Sequence, residues 1–451
     1  MFDLRRARND AADPQIQPDV RPTGLGRRQF LSLGAVAGGG LLLSACGVPS
    51  GGRSSSSESG GSAKLRTLFM QQAGYSPDEI NAMTAAFQKA NPGITVENTF
   101  VAYEALHDKI VISAPAGSYD VVLIDCIWPT ELATKKMILD VTDRYPAAWA
   151  NDILPGTLNT VSYQGRRYGV PWFPGGKVFF YNKALLQKAN VDVAQTKTWE
   201  GCVSAARALK KQGVVEYPFM WSWAQAEALI CDYTQLVGAF GGTLVGADGQ
   251  PSWNTGGGVQ ALEWMVMTLK DGLTNPASTK ALEDDVKKSL LQKQTAMALN
   301  WDYVYAASHD PKETQTPGQL VVTTSPAGPT GKNPSVDGGM GLSITAGCKN
   351  PDAAWKLISY LASPEVQVKY ATNSLPVWKS AYTDELRKGR EQLVEADQAT
   401  YSNLVSRPAV PTYNAVSQVL QQGLQAALLG QKSPQAALDE AASQAKQALA
   451  G

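Results

Sequence analysis

An α/β fold of the doubly wound kind is predicted by three observations on the first ordered part of the chain. Strand-like and helix-like segments alternate from Lys64 to Ile124. The segment Tyr119–Ile124 (YDVVLI) is almost wholly apolar, as a strand buried on both faces must be. The intervening segments keep helical spacing of apolar residues and carry capping signals at their starts.

The first strand is Lys64–Met70 (KLRTLFM), with Gln71 to Gly74 as the loop at its end. Pro77–Ala90 reads as a helix: Ser76 can cap it, Ile80, Met83, Ala86, Phe87 and Ala90 share a face, and Asn91-Pro92-Gly93 stops it. A second strand, Ile94–Val101, and a second helix, Tyr103–Ala114, lead to the apolar strand. In such sheets ligands bind beyond the carboxyl ends of the strands, which places Gln72, Asp125 and Trp128 near a cleft. Further on, Glu131–Met137 reads as a short helix, Tyr145–Thr160 as helix and loop, and Tyr163–Tyr168 as a hairpin. Lys177–Tyr181 reads as a strand, Asn182–Ala189 and Ala224–Ala239 as helices, and Ala296–Asn300 as a short apolar strand.

The stretch ahead of this domain has a different composition. Arg27-Arg28 begins an apolar run, and Leu31 to Ala45 is 15 residues, shorter than the roughly 20 that span a bilayer. It closes on Leu43-Ser44-Ala45-Cys46. A basic start, apolar middle and small residues at the end make a secretory signal. The arginine pair resembles a twin-arginine export signal, and the ending resembles a lipobox with Cys46 as the lipidated residue. Residues 1–46 are thus read as leader and signal peptide, and 47–63, rich in Gly and Ser, as a flexible tether.

Composition excludes several functions. Forty basic and 40 acidic residues balance, which argues against nucleic acid or an anionic membrane surface as the main partner; membrane contact is expected through the anchor only. With two histidines far apart and no Cys-x-x-Cys spacing, no metal or other cofactor is expected. No Gly-x-Ser-x-Gly elbow or phosphate loop appears. If Cys46 carries lipid, four cysteines remain, which permit two disulfides or isolated buried thiols.

The ordered series YDVVLIDCIW, YQGRRYGVPW, KVFFYNKALLQKANV, TWEGCVSAARALKK, NWDYVYA and DGGMGLSITAGCKNPDAAWKLISYLASPEVQ resembles the extracellular solute-binding proteins of sugar ABC importers. The segments SLPV at 374–377 and RPAVPTYNAVSQVLQQGLQAALLG at 407–430 extend the likeness, and it looks closest to the trehalose/maltose-type lipoproteins. The resemblance implies a two-lobed periplasmic-binding-protein fold of class II type, with a cleft between lobes joined by hinge strands. Lobe one would comprise 64–171 and 335–374, and lobe two 172–334 and 375–451. It implies a lipid-anchored, monomeric, non-enzymatic component that passes a mono- to oligosaccharide to permease subunits.

A sugar site needs aromatic faces for the C–H patches of the ring and polar groups for its hydroxyls. The residues that fit, on position and resemblance, are Gln72, Asp125, Trp128, Trp172, Phe173, Trp221, Trp301, Asp302, Tyr303, Gly339, Met340 and Arg407. Trp128 and Trp172 have core packing as the competing reading, Asp125 helix capping, and Arg407 a surface ion pair. Glu104 and Glu227 read as solvated helix residues. Two departures from the trehalose/maltose pattern remove expected sugar contacts: Pro174-Gly175-Gly176 where an aspartate is common, and Met340 where a tryptophan follows the paired glycines. Glycines 175 and 176 would let backbone approach the ligand or leave room for a larger one. Cys202 and Cys231, both assigned to lobe two, are the preferred disulfide pair. The competing functions are a binding protein for a glycerophosphodiester, polyamine or peptide, and a lipid-anchored glycoside hydrolase, which would need two carboxylates about 5 to 10 Å apart.

Overall fold

The computed structural model describes residues 62–71, 74–154 and 156–450. Cys46, the signal, most of the tether and Gln72 lie outside them.

Three parallel strands begin lobe one: β1 (Ala63–Met70), β2 (Ile94–Val101) and β3 (Val121–Asp125). Two helices cross between them, α1 (Pro77–Ala90) and α2 (Tyr103–Ser113). α1 starts where the sequence signals it. The Ser76 hydroxyl accepts from the Glu79 backbone N–H, and the Glu79 carboxylate accepts from that of Ser76, so two orphan donors are satisfied reciprocally. Its buried face carries Ile80, Met83 and Phe87. β3 is buried along its whole length because the sheet is covered on both faces. Two later strands complete the sheet: Met340–Ile344 pairs antiparallel with β3, and Val170–Phe173 pairs antiparallel with Met340–Ile344 at the edge. The helix and loop expected from Tyr145 to Thr160 are the short helix Trp149–Asp152 and, further on, a 3-10 turn, Thr157–Val161.

Lobe two holds a three-stranded antiparallel sheet in which Val178–Asn182 is central, between Met297–Asn300 and Leu320–Thr323. The helices Trp199–Lys211, Glu227–Ala239 and Gly257–Lys270 bury their apolar faces in one cluster with Trp221, Trp223 and Trp253. Two C-terminal helices, Tyr413–Leu428 and Pro434–Ala450, pack on that cluster through Leu420, Leu424 and Leu438. A second cluster in this lobe joins Val178, Phe180 and Val322 to Leu393, Val394 and Ala396 of the helix Glu391–Tyr401.

The chain crosses between the sheets at 174–177 and returns at 337–339. The two crossings touch: Gly176 bridges Asp337, and the Gly338 N–H donates to the Gly175 carbonyl at 3.1 Å. A Cβ on Gly175 would lie 2.3 Å from the Gly338 carbonyl carbon. The glycines that read as room for a ligand are therefore what lets the two crossings touch backbone to backbone.

The cysteines among the described residues, Cys126, Cys202, Cys231 and Cys348, are free thiols. The expected Cys202–Cys231 bridge is not formed; Cys202 Sγ instead lies 3.5 Å from the Thr196 carbonyl, at the start of its own helix.

Candidate ligand-binding cleft

Trp301 follows the strand Met297–Asn300 and stands at the crossing of the lobes. Its backbone N–H donates to Asn300 Oδ1 at 2.8 Å, and its indole N–H to Glu283 Oε1 at 3.3 Å. Behind the ring lies the buried Lys177 ammonium, 5.3 Å from its centroid. That ammonium donates to Asp232 at 2.7 Å and to Ser222 at 3.0 Å, so the tryptophan rests on a charge that is already paired. A Cβ on Gly338 would stand 2.3 Å from Trp301 Cη2, which shows how closely the ring edge approaches the hinge. The residue remains partly exposed, which leaves ring surface available to a ligand.

Around Trp301 several buried polar atoms have no hydrogen-bond partner in the protein. From lobe one these include the Tyr75 hydroxyl, in the loop after β1, and Thr160 Oγ1. From lobe two they include Asp302 Oδ2, both carboxylate oxygens of Asp397 and the Thr400 hydroxyl. Electrostatics links Tyr75 and Asp397 to Asp302, while Thr160 and Thr400 stand against the crossing glycines. Burial, then Glu79 and Asp302, push the Tyr75 hydroxyl up. Burial pushes Asp302 up to about 7, against the pull of the Tyr303 and Leu375 backbone N–H groups. Burial, then the charge of Asp302, hold Asp397 well above the usual carboxylate range. Tyr382 and Tyr401 are raised by burial first and then by Asp397, so they stand beside the same pair. A Cβ on Gly176 would meet Thr400 Cγ2 at 2.4 Å, and one on Gly339 would meet Thr160 Oγ1 at 2.8 Å. A cleft of about 620 Å³ opens between Gly74, Tyr75 and Glu79 of lobe one and Lys287, Tyr303 and His309 of lobe two; Tyr75 belongs to its lining, and Trp301, Asp302 and Asp397 do not.

A second polar group joins the lobes elsewhere. Arg407 donates from Nη2 to Asp125 Oδ1 at 3.0 Å and to the Asp337 carbonyl at 3.1 Å, and from Nη1 to Glu227 Oε1 at 2.7 Å. Asp125 ends β3 in lobe one; Glu227 begins the helix Glu227–Ala239 in lobe two. The Tyr413 and Ser417 hydroxyls also donate to Glu227, and Tyr103 to Asp125. Glu227 is thus a partner of Arg407 rather than a solvated residue, because the buried guanidinium needs both carboxylates. Trp128 stacks on Tyr103 at 5.9 Å beside this network and is buried.

The other expected site residues divide in the same way. Trp172 is buried, donates to the Leu361 carbonyl at 3.2 Å and packs on Phe69 and Tyr75. Phe173 backs Gly74 and Tyr75, and so shapes the loop at the cleft mouth. Trp221 is a core aromatic of lobe two, with its N–H on the Thr274 hydroxyl at 3.0 Å. Met340 pairs with Asp125 and Phe173 in the sheet and points into the lobe-one core. Gly339 lies in the returning crossing, its N–H on Asp337 Oδ1 at 3.0 Å. Tyr303 lines the cleft, its hydroxyl on Asp284 at 3.1 Å. Tyr75, Thr160, Asp397 and Thr400 were absent from the expectation. For Asp397 and Thr400 a signal existed: Leu393, Val394, Asp397 and Thr400 share one helical face, so two polar residues sit on an apolar stripe.

Two lobes, two touching crossings and a polar cleft between them are the architecture of a clamp for a small solute. The family model for bacterial extracellular solute-binding protein matches residues 73–368, and the chain belongs to that family. Its fold superposes on maltose-bound MalE3 of T. maritima with a TM-score of 0.80 at 28% identity, over 85% of this chain and 99% of the other. A solute-binding protein of Agrobacterium radiobacter K84 in complex with ribitol gives 0.78 at 26%, over 86% and 99%. A probable ABC transporter-binding protein of Deinococcus radiodurans is 27% identical over 338 residues, 72% of this chain and 79% of that protein. The family is exported and non-catalytic, and its members with known ligands among these neighbours hold sugars and sugar alcohols.

Proposed function

We propose that this protein captures a neutral sugar, sugar alcohol or small oligosaccharide between its lobes and delivers it to the permease of an ABC importer, without catalysis. The observation that carries the reading is the cleft between the lobes, lined by Tyr75, whose buried hydroxyl has no partner in the protein, and by Tyr303. Buried polar groups without partners are costly, and a ligand dense in hydroxyl groups satisfies donors and acceptors alike. Maltose in one relative and ribitol in another are ligands of that kind. The protein acts as a monomer tethered through lipid on Cys46, with Arg27-Arg28 directing twin-arginine export; the support is the signal, lipobox and Gly/Ser segment.

Thermal shift with maltose, other oligosaccharides, mannitol and ribitol tests the ligand class. A binder raises the melting temperature with its concentration; none among sugars and polyols would defeat the reading. Product analysis of the bound sugar should show it intact. Cys46→Ala should abolish lipid labelling and release the protein from membranes; unchanged labelling would remove the anchor.

A further inference from the structure

We propose that Glu79 has two roles at the cleft: one carboxylate oxygen caps α1, and the other accepts a hydrogen bond from a hydroxyl group of the captured sugar. The inference rests on the sugar-capture reading and assigns a ligand contact within it. Glu79 belongs to the lining of the cleft, with Gly74, Tyr75 and Ser76 of the same lobe. Its cap bonds fall on a single atom. Oε2 accepts from the Ser76 backbone N–H at 2.8 Å and from the Ser76 hydroxyl at 2.9 Å. The Glu79 backbone N–H returns the bond to the Ser76 hydroxyl at 3.3 Å. Oε1 takes no hydrogen bond from the described residues. Two donors on Oε2 hold the half-buried carboxylate in place, so the cap that starts α1 also fixes where the spare oxygen stands.

Two observations on the same lining favour a ligand hydroxyl as the partner. The first is the neighbouring Tyr75, which is buried and whose hydroxyl has no partner in the protein. A carboxylate oxygen only accepts, whereas a tyrosine hydroxyl gives or receives, and sugar hydroxyls can serve both. The second is charge. Lys287 on the lobe-two side would repel an ammonium, and Glu79, Asp310 and Glu313 would repel an anion, so an uncharged ligand suits the lining.

The test measures calorimetric affinity and apo melting temperature for wild type, Glu79→Gln and Glu79→Ala. The probe is whichever of maltose, maltotriose, mannitol and ribitol binds wild type most tightly. Glutamine serves in this cap as glutamate does, because its amide oxygen takes the Ser76 donors, but it puts an NH2 group where the spare acceptor was. Glu79→Gln should therefore keep the apo melting temperature and lose about tenfold or more in affinity. Glu79→Ala should lose at least as much affinity and also melt lower, because the cap goes with the contact. Unchanged affinity in Glu79→Gln, whatever Glu79→Ala does, makes the residue a helix cap alone and overturns the inference while leaving sugar capture standing. A loss of affinity in Glu79→Gln matched by a fall in its apo melting temperature does the same. Glucosamine binding wild type tenfold more tightly than glucose, with that preference lost in Glu79→Gln, would make Glu79 a cation contact and likewise overturn it. If none of the four probes binds wild type, the sugar-capture reading itself fails, and this contact with it.

Discussion

Trp301 is the side chain proposed to stack on the sugar, and its position makes the role testable. Trp301 is anchored on one edge by Glu283 and Gly338 and is partly open on its face. Trp301→Ala should weaken sugar binding by about thirtyfold or more, on the order of 2 kcal/mol, by titration calorimetry. Because the ring is only partly buried, at the margin of the Val178–Phe180 cluster, the apo melting temperature should fall only modestly; a sharp fall would instead indicate core packing. The neighbouring acid pair gives a pH signature. A carboxyl whose folded-state pKa is raised binds more protons folded than unfolded, so its contribution falls as pH rises. For Asp302 the window runs from its ordinary value of 3.8 to about 7. Asp302→Asn should therefore raise the apo melting temperature relative to wild type more at pH 8 than at pH 4.5. An equal difference at both would show that the carboxyl titrates normally. Trp301 was legible in the sequence because it ends an apolar strand, a local signal. The approach of Asp397 to Asp302 was not, because the two residues are distant in sequence.

The elements that matter most are the two crossings, where backbone meets backbone. Gly175→Ala would put a methyl 2.3 Å from the Gly338 carbonyl carbon, with no flexible side chain to yield. It should destabilise the protein by about 1–3 kcal/mol, the usual cost of overpacking, read from denaturant unfolding. Gly93→Ala, with nothing within 4 Å, is the matched control and should change little. Equal stability of the two variants would remove the steric account of the hinge. The sequence displayed Gly175-Gly176 and Gly338-Gly339 plainly, yet it could not show that one pair abuts the other. By contrast, β1, α1, β2 and α2 were readable because each is decided locally: a cap, a stop, a period. The bounds of the short helix and the 3-10 turn after Tyr145 were not legible, because packing against the returning Val377–Trp378 segment decides them, through the Leu154 N–H on the Val377 carbonyl and the Ile153–Trp378 bridge.

At the scale of the molecule, the question is how the lobes move. The cleft walls come from separate lobes linked by crossings only a few residues long, and Tyr75 on one wall and Tyr303 on the other meet one ligand only when both reach it. Arg407 joins Asp125 of one lobe to Glu227 of the other, a contact that exists only while the lobes are close. Ligand and ion pair therefore favour the same arrangement, and binding should shift the population toward it. Small-angle scattering should show a smaller radius of gyration at ligand saturation than without ligand. Glu227→Gln keeps the side chain's shape but weakens the charged contact, so the unliganded variant should show a radius at least as large as the unliganded wild type. Ligand should still contract it, at a higher saturating concentration, because part of the binding energy then goes to closing the lobes. An identical radius with and without ligand, in both proteins, would mean a cleft that is already set and a ligand that enters without closure.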